Sequence, residues 1–227
     1  MRIVHREGVE GARGAAGTVV VIDVLRAFTV SAYALAGGAV ECRLVAEVEE
    51  ARALAGCIEG AVISAEVEGL PVEGIAISNS PTMVRDAGLR GRTLIQRTSS
   101  GTQGVVAAAA AERLLACSLT VASATARAIL AAEPELVTVV ATGGDRGHLE
   151  DAACAGYLAA VLQGERPDLE ALLAPFYRTE RYGELSRGRW PGFPATDVDL
   201  ALAADRFDFA MPVERDGLGL RLRALPT

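Results

Sequence analysis

Residues 18–29, Thr-Val-Val-Val-Ile-Asp-Val-Leu-Arg-Ala-Phe-Thr, constrain the fold of this chain more than any other stretch. Val19 to Ile22 are four β-branched residues in a row, so they predict a strand buried on both faces, as in a sheet covered by helices. Asp23 then falls at the carboxyl end of that strand, where open α/β sheets place their ligand crevice. Arg26 follows within one helical turn and supplies a fixed cation for a phosphate or carboxylate. The competing role for Asp23 is structural, as a cap on the helix that follows.

Along the rest of the chain, apolar β-branched runs alternate with Ala-rich segments of helical period. That alternation predicts an α/β class, a three-layer α/β/α sandwich around a largely parallel or mixed sheet. Strands are expected at 3–4 (an edge), 40–45, 61–64, 93–97, 114–119 and 136–141, and helices at 27–36, 47–55, 105–112, 122–132 and 149–162. From Gly164 onward the character changes, with Arg178, Arg181, Arg187 and Arg189 among Tyr177, Tyr182, Trp190 and Phe193. This part is expected to be a peripheral extension, a lid or subunit contact, of the one domain spanning 1–227. It would hold a short helix at 197–204, an irregular stretch at 207–212 and a strand at 219–223.

Composition removes several chemistries. The 227 residues carry a formal charge of -7, which argues against nucleic acid or an anionic membrane as partner. All 22 basic residues are Arg, so a P-loop lysine, a pyridoxal Schiff base and a lysine nucleophile are excluded. Cys42, Cys57, Cys117 and Cys154 are widely spaced in apolar contexts, which predicts four buried thiols in a reducing cytoplasm. His5 and His148 are too few for a His-rich transition-metal site, so any metal would be hard and oxygen-liganded. The N-terminal residues lack the apolar core of a signal peptide, and no apolar run reaches the ~20 residues of a membrane span.

Three further stretches are candidates for chemistry. Thr98-Ser99-Ser100-Gly101-Thr102-Gln103-Gly104 runs from a strand into an Ala-rich helix, so its backbone N–H groups are placed to cradle an anion, with Arg97 at the lip. The bland alternative is a Ser/Thr helix cap. Residues 66–81 form a long irregular stretch carrying Glu66, Asn79 and Ser80, and Ser80-Pro81 also fits an ordinary helix start. Asp145, Glu150 and Asp151 fall within seven residues at a helix start, where they could serve the dipole or bind Mg²⁺ beside the cradle.

Taken in order, Val21-Ile22-Asp23-Val24-Leu25-Arg26-Ala27, Asn79-Ser80-Pro81, Ser100-Gly101-Thr102 and Leu149-Glu150-Asp151-Ala152-Ala153-Cys154-Ala155-Gly156 resemble the motifs of the 2-phosphosulfolactate phosphatase family. The resemblance spans about residues 18–212. It implies the three-layer α/β fold and Mg²⁺-dependent hydrolysis of a small acidic phosphate monoester, 2-phosphosulfolactate to sulfolactate or a related compound, a step toward coenzyme M. A homodimer is the expected assembly. The match carries over Asp23 and Arg26 together with Glu66, Asn79, Ser80, the 100–102 turn, Asp145, Glu150 and Asp151.

The resulting expectation has Asp23, Arg26 and Arg97 as catalytic residues and Asn79, Ser80, Thr98, Ser99, Ser100, Gly101 and Thr102 binding substrate. Asp23, Glu66, Asp145, Glu150 and Asp151 would be metal ligands. Two departures stand out: Ala76 replaces an acid of the family pattern, and Ser100 replaces an amide. Attack by water is the preferred route, because phosphatases with a nucleophilic aspartate at a strand end carry a second Asp two residues on, and here that residue is Leu25. A non-catalytic binding protein for a phosphorylated or sulfonated small acid stays open at this point, as does an α/β subunit whose apolar helices serve assembly.

Overall fold

The computed structural model describes residues 1–144 and 147–227. In chain order it contains β1 (Arg2–Glu7), α1 (Gly8–Ala12), β2 (Thr18–Ile22), α2 (Ala27–Ala36), β3 (Glu41–Leu44), α3 (Val48–Cys57), β4 (Val62–Val67) and β5 (Leu70–Pro71). There follow α4 (Pro81–Asp86), β6 (Thr93–Arg97), α5 (Gly101–Ala107), β7 (Arg113–Cys117), α6 (Ala122–Leu130), β8 (Leu136–Ala141) and α7 (Leu149–Leu162). The last part supplies α8 (Leu169–Tyr177), α9 (Glu180–Ser186), α10 (Thr196–Leu202), β9 (Phe209–Asp216), β10 (Gly219–Leu222) and β11 (Leu225–Pro226). Helices cover both sides of a mixed, largely parallel sheet, which is the three-layer arrangement expected.

The strand order is β1-β8-β2-β7-β9-β10-β3-β6-β4-β5. Every residue of β2 is buried, and the strand lies parallel between β8 and β7, as its unbroken β-branched run requires. Two parallel blocks result, β1-β8-β2-β7 and β3-β6-β4, joined through the antiparallel hairpin of β9 and β10. Three antiparallel pairings separate β7 from β3, and β9 serves the two blocks with different residues, 211–212 toward β7 and 213–216 toward β10. Arg43 of β3 fastens this junction: its guanidinium forks onto both oxygens of Asp216 at 2.6 and 2.9 Å and reaches Glu41 at 2.7 Å.

Several boundaries differ from the sequence expectation. The 66–81 stretch is not wholly irregular, since Leu70 and Val67 pair in a short β4–β5 hairpin. The first turn of α5 is Gly101 to Gly104 itself, and 108–112 leave the helix despite four alanines, because the chain must turn at once into β7. The residues expected at the periphery contribute β9 and β10 to the middle of the sheet. Much of β9 falls where an irregular 207–212 was expected, because Pro212 and the charged Glu214-Arg215-Asp216 hide its period. Of the four cysteines, Cys57 is exposed and the other three are buried.

Candidate active site

A crevice of about 480 Å³ opens where the carboxyl ends of the two parallel blocks meet. Asp23 and Arg26 enter it from the end of β2, Glu66 from β4, Ser99 and Ser100 from the end of β6, and His148 from the turn before α7. Arg181 of α9 and the side chains of Leu25, Leu185, Trp190 and Phe193 close the far wall. The Leu25–Arg26 peptide is cis.

Asp23 fills the capping role and also lines the crevice. Its Oδ1 accepts the N–H of Ala27 at 2.9 Å and so fastens the start of α2. Its other oxygen lies against Gly101, whose N–H also donates to the carboxylate. Burial pushes the Asp23 carboxyl up to about 6, with the nearby charges of Glu66 and Glu150 adding to the rise. Gly101 permits this closeness: a Cβ there would sit 2.5 Å from the Ala27 Cβ and 2.9 Å from Asp23 Oδ2. Gly101→Ala should therefore displace Asp23 and reduce turnover by at least about tenfold with the chain still folded, a loss steady-state kinetics beside circular dichroism would register.

The 98–104 turn does cradle anions, but they belong to the protein. The Ser99 N–H and hydroxyl both donate to Glu66, the Gly101 N–H donates to Asp23, and the Thr102 N–H donates to Thr98 Oγ at 3.0 Å. Thr102 Oγ donates in turn to the Thr98 carbonyl, so these two threonines cap α5 and neither lines the crevice. Arg97 is likewise spent on structure, donating to the carbonyls of Ala46 and Glu66 and to Ser99 Oγ, and it is absent from the lining. The expected catalytic role of Arg97 is therefore corrected to bracing of the β4 and β6 ends.

Asn79 lines the crevice and is held by Gln96, whereas Ser80 does not; its hydroxyl accepts the Met83 N–H, capping α4, and donates to Asp197. Ala76, where the family pattern has an acid, is exposed and outside the lining.

The acids of α7 divide by partner. Asp151 Oδ1 accepts the Val24 N–H at 2.8 Å and Oδ2 accepts the Gly143 N–H at 2.9 Å, so this side chain ties the ends of β2 and β8 together. Glu150 is fully buried; one oxygen pairs with Arg181 at 2.6 Å and the other, Oε2, has no hydrogen-bond partner among the described residues. Burial raises the carboxyls of both, and for Asp151 the charges of Asp23 and Glu150 add to the rise. Asp145, the remaining expected ligand, lies outside the described residues.

A hard cation fits this chemistry. Glu66 and Asp151 have their oxygens committed to N–H and O–H donors, but Glu150 Oε2 is a buried acceptor without a hydrogen-bond donor among the described residues, within electrostatic reach of Asp23. Among the described residues no three His, Cys, Asp or Glu side chains form a ready metal cluster. A Mg²⁺ ion needs only one or two carboxylates, completing its shell with water and substrate oxygens.

A family model described as 2-phosphosulpholactate phosphatase matches residues 4–185. The chain belongs to the 2-phosphosulfolactate phosphatase family. The family is one of phosphoric monoester hydrolases, and the chain is an enzyme of that class. A probable 2-phosphosulfolactate phosphatase of Bacillus subtilis (strain 168) is 31% identical over 203 residues, 87% of each chain. One of Carboxydothermus hydrogenoformans is 36% identical over 148 residues, covering 65% of this chain and 61% of its own.

Asp23, Arg26, Glu66, Asn79, Glu150 and Arg181 lie inside the span matched to the family. Trp190, Phe193 and Asp197, which complete the crevice or its support, lie beyond it. Sequence reasoning took Arg181 and the two aromatic residues only as members of a possible lid, and missed His148 and Asp197 as site residues. His148 belongs to no spaced metal-ligand motif in the sequence, and Asp197 looks like any acid in the first turn of a helix.

Proposed function

We propose that this enzyme hydrolyses 2-phosphosulfolactate, or a close small acidic phosphate monoester, to the free hydroxy acid and inorganic phosphate with Mg²⁺ bound. The observation that supports this best is the meeting of Asp23, its carboxyl near 6, with Arg26 and Arg181 in one crevice, with the buried Glu150 that pairs with Arg181 close enough for its charge to act on Asp23. Arg26 and Arg181 offer two cationic points, which suits a substrate carrying a phosphate and further acid groups. Asp23 accepts one proton of a water that attacks phosphorus, the ester P–O bond breaks, and the departing oxygen of the hydroxy acid takes up that proton, which returns Asp23 to its ionised form. Covalent attack by Asp23 is disfavoured because the second Asp that accompanies such a nucleophile two residues on is Leu25 here.

Mg²⁺, with Glu150 as its carboxylate ligand, would neutralise phosphoryl charge and orient water. Its binding has a readout apart from turnover. Millimolar Mg²⁺ should raise the thermal midpoint by a few degrees at pH 8, and a chelator should reverse the rise. Glu150→Gln should lose the shift; a shift kept in full by that variant would remove Glu150 from the metal site. Substrate class is tested by comparing 2-phosphosulfolactate with a phosphomonoester that has no second acid group. The expected result is at least a tenfold higher kcat/KM for the former, and equal values would contradict recognition of a second anion.

A further inference from the structure

We propose that Asp197 is a positioning residue: it locks Arg26 so that one intact edge of the guanidinium faces the phosphoryl group. The inference rests on the reading of Arg26 as a phosphate-binding residue given above. Asp197 lies in the first turn of α10 and is completely buried. Its Oδ2 accepts from Arg26 Nη1 at 2.9 Å, while Oδ1 accepts from the Ser80 hydroxyl at 2.8 Å and the Thr82 N–H at 3.0 Å. The carboxylate therefore joins the two stretches that carry the chain's most recognisable motifs, Asp23 to Ala27 and Asn79-Ser80-Pro81.

Nη1 also donates to the Gly192 carbonyl at 2.8 Å, and the ring of Phe193 lies 4.1 Å from the guanidinium carbon. Both protons of Nη1 are thus used, and one face of the planar group is covered. What remains is the edge formed by Nε–H and Nη2–H₂, for which no partner is found among the described residues, and Arg26 lines the crevice. A guanidinium binds two oxygens of a phosphoryl group best through such an edge, and fixing its orientation beforehand saves the ordering step on binding. Asp197 and Gly192 both lie past residue 185, so the grip on phosphate is completed by a segment outside the family-matched span.

The test is a double-mutant cycle with Arg26→Met, Asp197→Asn and the pair together. It reads kcat/KM on 2-phosphosulfolactate, the inhibition constant of inorganic phosphate, and the thermal midpoint. Arg26→Met should reduce kcat/KM about 10²-fold and Asp197→Asn at least about tenfold, each with weaker inhibition by phosphate. The double variant should lose no more activity than Arg26→Met alone and should be more stable than it, because no charge is then left buried without a partner. Losses that multiply, or an unchanged phosphate constant in Asp197→Asn, would overturn the proposal while leaving Arg26 in place. An Arg26→Met enzyme of full activity would instead overturn the reading of Arg26 itself, and the proposal with it. Should Asp197→Asn fail to fold, Ser80→Ala removes one anchor of the carboxylate and keeps its charge. A severalfold rise in the phosphate constant is then expected, and none would count against the proposal.

Discussion

Asp23→Asn should reduce turnover by about 10³-fold or more while leaving the metal-free protein about as stable as the parent at pH 8. The activity loss follows from the removal of the ionised carboxylate, which serves proton transfer. The stability result follows from burial. An acid whose folded-state value is about 6, against 3.8 for the ordinary group, destabilises the fold when ionised by about 3 kcal/mol. The sign is opposite to that of a salt-bridged carboxylate. Above pH 6 the penalty is present in full, and between about 6 and 4 the folded state binds more protons than the unfolded one, so acidification relieves it.

Asn removes that penalty but points an amide where the Ala27 or Gly101 N–H now donates, so the gain is partly offset. Chemical denaturation of parent and variant at pH 5 and pH 8 checks this. The parent should gain stability at pH 5 in the absence of metal, whereas the variant should change less. Turnover of the parent should fall as pH drops through about 6, because the ionised form is the active one.

Asp151→Ala should do the reverse, acting on the fold before the chemistry. Asp151 is as deeply buried as Asp23 and its carboxyl is also raised by burial, yet both its oxygens accept backbone N–H groups from the ends of different strands. Truncation leaves the Val24 and Gly143 donors buried and unpaired, which costs on the order of 3–5 kcal/mol and loosens the carboxyl ends of β2 and β8 together. Urea denaturation should show a large fall in midpoint for Asp151→Ala and a smaller one for Asp151→Asn, which keeps one acceptor. If Asp151→Ala were as stable as the parent, the carboxylate would not be the clasp between these strands.

Most long strands and helices of the first 160 residues were legible from their period, whereas α1 had no expected counterpart and α5 begins four residues before the helix expected at 105–112. α2, β6, β8 and α7 match the sequence expectation residue for residue. The hairpin at the centre of the sheet was not, because β9 contains Pro212 and its polar half takes its place only by pairing with β7 and β10. At the site, sequence identified the charge-bearing stretches but not the direction of their side chains. Arg97 and Arg26 read alike along the chain, yet one donates to backbone carbonyls and the other lines the crevice. The Ser/Thr/Gly turn read as a phosphate cradle because its backbone donors are real; that Glu66 and Asp23 occupy them depends on contacts across 33 and 78 positions of sequence. Asp197 had no local signal at all, since its meaning lies wholly in Arg26 and Ser80, more than a hundred residues away.

Release of inorganic phosphate from 2-phosphosulfolactate, followed with Mg²⁺, with chelator, and with the Asp23→Asn enzyme, tests the site most directly. Phosphate should appear at a saturable rate with Mg²⁺ and fall to background both on chelation and in the variant. Substrate that binds without phosphate release, or release that Asp23→Asn leaves unchanged, would contradict hydrolysis at this crevice.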